Sequence, residues 1–415
     1  MPAIGVGSSC FPLPGATNRT LELSRLQSSQ SGDYSVVVAN ALGSVTSVAV
    51  WLEVSAVVPW GYSFFGASNL PRGLSNVAAV AAGRDHCLAL RDDGTVVQWG
   101  LLNQDQVPVG LADVVAIAAG ELCSFAVRSN GTVAAWGSYY EGGTFVPVRL
   151  PLGLTNVVAI AAGGSYVLAL RKDGTVIEWD YNGRVRTGVP AGLNRVIAVA
   201  AGWNHSLALR ADGKVVAWGN NAAGQTDVPP DLNNVAAIAA ANDDNLALRA
   251  DGTVVAWGRN LLGCLDVPTG LTDVVAIAIA GSHSLALRAD GSVVAWGQYY
   301  DGSGMIPMAV PPGLSNVVAI AAAEGYSLAA VRLRPVLEIL RRDSDTLLLQ
   351  WDSSAADWLL QESARLESGS WVNVTNTPAN DGTRVSVSIQ VLEGARFFRL
   401  RSRGHGSDSQ ARGER

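Results

Sequence analysis

The stretches SLALRADGKVVAWG (206–219), NLALRADGTVVAWG (245–258) and SLALRADGSVVAWG (284–297) repeat one pattern three times. Their tryptophans, Trp218, Trp257 and Trp296, stand 39 residues apart. A fixed period of this size marks a stacked or radial repeat architecture. Two β-prone runs, SLALR and TVVAWG, meet at Asp212-Gly213, Asp251-Gly252 and Asp290-Gly291. Asp-Gly between such runs signals a hairpin with a type I′ turn, because both central residues then need positive φ. The run VVAIAAG that precedes them is too short for a helix. Each unit therefore reads as a three-stranded antiparallel meander.

The strands are apolar on both faces, which implies sheets packed against sheets. The first strand is mostly Ala and Gly, and the third carries a Trp. Such a wedge suits blades crowded around an axis. The expected fold is all-β, a β-propeller. First strands begin near Val77, Val114, Val157, Val196, Val235, Val274 and Val317, and third-strand tryptophans are Trp60, Trp99, Trp136, Trp179, Trp218, Trp257 and Trp296. Both series give seven blades over 55–333. They are offset: VVPWG (57–61) stands alone at the front, and the last unit stops at SLAAVR (327–332). The front strand should complete the last blade and close the ring, which removes the open edge of a linear array.

Composition narrows the function. The chain of 415 residues is 48% hydrophobic and 15% charged, enough to bury a large core. A net charge of −6 argues against a nucleic-acid partner. No apolar run approaches the length of a membrane-spanning helix, so no membrane insertion is expected. The four cysteines are far apart in sequence, without CxxC pairs, and suggest neither a disulfide framework nor a zinc site.

At AAGxxHSLALRxDGxVxxWG the chain resembles the repeat of the regulator of chromosome condensation family. Its short period is similar to the bacterial branch that includes the propeller-type β-lactamase inhibitory protein. The resemblance covers about 57–332. It implies a propeller; the family itself includes exchange factors, inhibitors, photoreceptors and ligase-associated modules. The inhibitor branch binds its target through loops on one propeller face, which implies a protein-binding role here.

The flanks read differently. Residues 21–54 look like the last strands of an immunoglobulin-like domain, with Gly32-x-Tyr34 at the corner before strand F. Val36 stands where the family has its second cysteine. Only half a sandwich is present in 1–54, so a piece of a longer modular protein is expected, extracellular or at a cell surface, with no signal peptide visible. Residues 335–402 resemble a small C-terminal β-sandwich of bacterial surface proteins. The polar stretch 403–415 is expected to be disordered.

Candidate chemistry is sparse. His86, His205 and His283 share one repeat position, which separates them by a blade or more and argues against a metal; each is expected to bond its own loop. The Asp-Gly aspartates are explained by turn chemistry. No catalytic carboxylate pair, cofactor motif or nucleophile elbow is found, so no enzyme and no cofactor are expected. Two variable sets share one face: the turn between strands one and two, and the segment after Trp-Gly. They supply Arg84, Asp85, Tyr139, Tyr140, Tyr166, Tyr181, Trp203, Asn204, Asp243, Tyr299, Tyr300 and Tyr326 as partner-binding residues. Aromatics beside Asp and Asn suit a protein partner. A glycan is the alternative ligand, and the expected state is a monomer.

Overall fold

The computed structural model describes residues 56–332, except 63–65, 67–68 and 101–105, together with strands lying within 32–52 and 338–402. The chain divides into two compact units. One is Ala56–Arg332, and the other combines Met1–Ser55 with Leu333–Arg415.

Within Ala56–Arg332 the described strands form seven antiparallel sheets. The fourth is representative: Val196–Ala201 pairs with His205–Arg210, which pairs with Val215–Gly219. Its register sets Ser206 against Trp218 and Leu207 against Ala217. The second strand is the buried centre of every blade, as HSLAL in the fourth and sixth. Its two covered faces explain a run without polar alternation. The last sheet joins chain ends: Tyr326–Val331 pairs on one side with Val317–Ala323 and on the other with Val57–Gly61. Ser327 lies opposite Trp60 in that register. The ends of all seven first strands, from Ala82 to Ala322, line a central cavity of about 230 Å³. Their alanines allow close approach at the axis, while tryptophans fill the wider space between blades.

The hairpin turns differ from the expected type I′. Positive φ occurs at Gly94, Gly131, Gly174, Gly213, Gly252 and Gly291, and not at the residues before them. In the first blade Gly94 N–H donates to Arg91 C=O and Arg91 N–H to Thr95 C=O. This is a type I turn followed by a left-handed glycine, the usual three-residue hairpin loop. The aspartate stays right-handed because its carboxylate caps the returning strand. Asp93 Oδ1 accepts from Thr95 N–H at 2.9 Å and from its hydroxyl at 2.6 Å. A Cβ on Gly94 would stand 3.2 Å from the Asp113 backbone of the next blade.

That neighbouring position is itself special. Asn76, Asp113, Asn156, Arg195, Asn234, Asp273 and Asn316, each just before a first strand, have φ between 51° and 59°. Asn and Asp tolerate this region best; Arg195 is the exception in kind.

In the other unit, Gly32–Tyr34 pairs with Val50–Leu52 and Val37–Asn40 with Gly43–Thr46, all antiparallel. The C-terminal strands form two sheets. One contains Glu338–Arg341, Thr346–Asp352, Arg384–Gln390 and Ala379–Asn380, and the other Val372–Asn373, Trp358–Ser363 and Phe397–Ser402. Leu349 and Val387 face each other in register and are both buried. Val36 and the stretch 403–415 lie outside the described residues.

Candidate partner-binding face

Backbone bonds bring the two variable sets together. Asn220 N–H donates to Asn204 C=O at 2.9 Å, Ser138 N–H to Leu122 C=O at 3.2 Å, and Gln298 N–H to Ser282 C=O at 3.0 Å. The segment after each third strand thus lies against the turn between strands one and two, and the Asp-Gly hairpins occupy the opposite end.

Three of the expected binding tyrosines prove to be internal. Tyr166, Tyr181 and Tyr326 are buried. Tyr326 donates to Gly83 C=O at 2.7 Å and lies 3.4 Å from Cys87 Sγ, tying the last blade to the first. Tyr166 donates to His205 C=O and accepts from Ser206, linking the third blade to the fourth. Tyr181 donates to Gly163 C=O at 2.6 Å and stacks on Phe125. A buried phenol needs a polar partner for its hydroxyl, and a neighbouring backbone carbonyl supplies one. Burial also pushes all three hydroxyls above their ordinary pKa.

The histidines do the same work. His86 Nε2 lies 2.8 Å from Ser124 Oγ, His205 Nε2 is 2.7 Å from Asn245 Oδ1, and His283 Nε2 is 2.8 Å from Ser327 Oγ. Each partner belongs to the next blade, not to the histidine's own loop as expected. Desolvation lowers His86 and His283 to about 4 and also lowers His205. The buried thiols Cys87, Cys123 and Cys264 are raised to about 12, again by burial. These are inert packing groups. Among the described residues no group of three or more His, Cys, Asp or Glu is placed to hold a metal ion.

Strand alternation sorts the paired tyrosines. The third strands of the second and sixth blades run on into hairpins, Val133–Glu141 with Thr144–Pro147 and Val293–Tyr300 with Met305–Pro307. These tyrosines therefore lie on strands where loops were expected. Neighbours on a strand point to opposite sides. Tyr139 is half-buried, 5.7 Å from the Tyr181 ring, and its hydroxyl donates to Asn182. Tyr299 packs into the cluster of Trp60 and Met308. Tyr140 is 65% exposed and Tyr300 49%. Phe145, which the sequence reading missed, meets Tyr140 edge-on at 5.3 Å and is itself exposed. Only its cross-strand position opposite Tyr140 identifies it.

Trp203 remains open, at 46% exposure. Its backbone N–H donates to Asn242 C=O at 2.8 Å, and its ring lies so close to Gly164 that a Cβ there would come within 2.7 Å. Asn204 beside it is exposed. Asp243 is half-buried, accepting from Gln225 at 2.8 Å and facing Arg259 at 3.5 Å. Arg84 is exposed and reaches Glu121 at 3.5 Å, whereas Asp85 is buried.

The repeat now has its geometry, and known proteins agree with it. The family model for the regulator of chromosome condensation (RCC1) repeat matches residues 77–106 and 196–225. The ring is a propeller of RCC1-type repeats. Prp20p of Saccharomyces cerevisiae is similar, with 20% identity and a TM-score of 0.54 over 67% of this chain and 92% of that one. Human WBSCR16 is similar at 19% identity and a TM-score of 0.51, over 66% of this chain and 98% of that one. No curated protein sequence matches the chain. The RCC1-type blade explains why so many polar residues of the repeat are inward: they join blades and are spent on the fold.

Proposed function

We propose that this RCC1-type propeller is a non-catalytic module that binds a protein partner on the face bearing Tyr140, Trp203 and Tyr300. The observation that supports this most is selective exposure. Other aromatics of the two variable sets, Tyr166, Tyr181 and Tyr326, are buried and hydrogen-bonded, whereas these three come from alternate blades, the second, fourth and sixth, and remain open. Half-exposed rigid aromatics are the usual anchors of protein interfaces. The similar yeast propeller has been studied for binding to Gsp1p and histones, and a second structure shows it with Kap60. A protein partner is therefore in keeping with the fold, while its identity is specific to this face. The reading extends to an extracellular or cell-surface setting, a monomeric chain, an immunoglobulin-like segment before the ring and a small sandwich after it; the modular sequence supports these.

The test is capture by the full chain of interacting proteins from the source, compared with a Tyr140→Ala/Trp203→Ala/Tyr300→Ala variant, alongside a glycan array. A protein retained by the parent and lost by the variant supports the reading. Saturable glycan binding lost in the same variant would replace the protein partner with a sugar.

A further inference from the structure

A cavity of about 260 Å³ opens on the same face at the junction of the sixth, seventh and first blades. It exceeds the ~150 Å³ space that admits benzene in an engineered core. Tyr62, Leu262, Tyr300 and Met305 form apolar walls, and Asp85 and Glu324 contribute carboxylates. Asp85 is only 7% exposed, and its Oδ1 has no hydrogen-bond partner among the described residues. The nearest cation is Arg84, whose Nε stands 3.8 Å away, beyond hydrogen-bond length, while its Nη1 turns to Glu121. Such a buried acceptor is costly to leave unmade. Burial raises the Asp85 pKa; the Arg84 charge works against the rise and the Glu324 charge adds to it.

We propose that this cavity receives a basic side chain, an arginine or lysine presented by the protein partner. The apolar walls suit the methylene stem of such a residue. Tyr62 and Tyr300 line the cavity with the residue type that attracts a cation, and the carboxylates would accept its N–H groups in short charge-assisted bonds. A bare metal ion fits poorly, because the walls supply few oxygen ligands. The inference rests on the reading of this face as the binding face, and it names the chemistry of one anchor.

Methionine-methyl NMR of the full chain tests it. The sequence has three methionines; Met305 lines the cavity, and Met308 is buried in the core as an internal reference. The probe is N-acetyl-arginine methylamide, compared with its uncharged citrulline analogue. The arginine probe should shift the Met305 signal saturably and leave Met308 in place. The citrulline analogue should bind about tenfold more weakly or worse, and Asp85→Asn and Glu324→Gln should each weaken the arginine probe about tenfold. Equal binding of the two probes, no saturable shift, or full affinity in a Glu324→Gln chain with an unchanged Met308 signal would overturn the proposal. A partner that needs Trp203 while the probe fails would refute the cavity alone. A probe that binds while the partner ignores the aromatics would refute the binding face and leave the cavity standing.

Discussion

Mild acid should loosen the ring through His86 and His283. Both imidazoles are buried and held neutral, with pKa values lowered to about 4 from 6.5 by desolvation. Between those values the unfolded chain binds more protons than the folded one, so stability is present above about pH 6.5 and is lost as pH falls toward about 4. At about pH 5 the difference from the unfolded value is roughly 1.5 units, or about 2 kcal/mol per histidine at 1.36 kcal/mol per unit. Two histidines give about 4 kcal/mol, on the order of a 10 °C fall in melting temperature for a domain of this size. His205 is lowered as well and acts in the same direction. Asp85 and Glu121 are raised by burial and oppose the trend at its acid end. The depressed carboxylates of Asp93, Asp173, Asp251 and Asp290 act only below their ordinary 3.8, outside this window. Thermal melts followed by circular dichroism between about pH 7.5 and 5 read the slope, and a His86→Gln/His283→Gln variant should flatten it. A parent whose melting temperature ignores this range, or a variant with the parent's slope, would refute the reasoning.

Other perturbations separate fold from surface. Deleting residues 1–62 removes the strand that pairs with Tyr326–Val331 and should lower the melting temperature far more than deleting 336–415, as calorimetry of the two truncations would show. Arg195→Asn should stabilise the ring by roughly 0.5–1 kcal/mol in urea titrations, because Asn tolerates the left-handed φ of 53° better and the Arg side chain is exposed. Tyr326→Phe should cost about 1–3 kcal/mol in urea titrations by leaving Gly83 C=O without its donor. Gly164→Ala should displace the Trp203 ring and shift its fluorescence, with little change in melting temperature.

The blade was legible because its constraints are local and repeated. The period and the apolar second strand recur in every unit, and Asp-Gly or Asn-Gly in each of the six with a hairpin, so chance agreement at one site matters little. The offset between Trp60 and SLAAVR showed which ends would pair, and Ser327 does lie opposite Trp60. The turn type differs from the expectation because Asp-Gly suits two hairpin loops, and the choice depends on the Thr that Asp93 caps two residues later. Burial at the site was harder to read. Tyr166 and Tyr326 occupy the position of His205, and a histidine or a phenol there reaches across to the following blade. That distance is a tertiary property, absent from the repeat itself. The sequence suggests one loop for Tyr139 and Tyr140, yet the hairpin's alternation turns one inward and the other out.

The most direct test of the binding face is the affinity of the captured partner for Trp203→Ala and Tyr140→Ala chains, measured by calorimetry beside their melting temperatures. Each anchor carries ~2 kcal/mol or more, so each substitution should weaken binding at least ~30-fold. Both side chains are largely open, so melting should move by no more than a few degrees. Unchanged affinity in both variants would contradict the account and shift recognition to the flanking unit, leaving the propeller as a spacer.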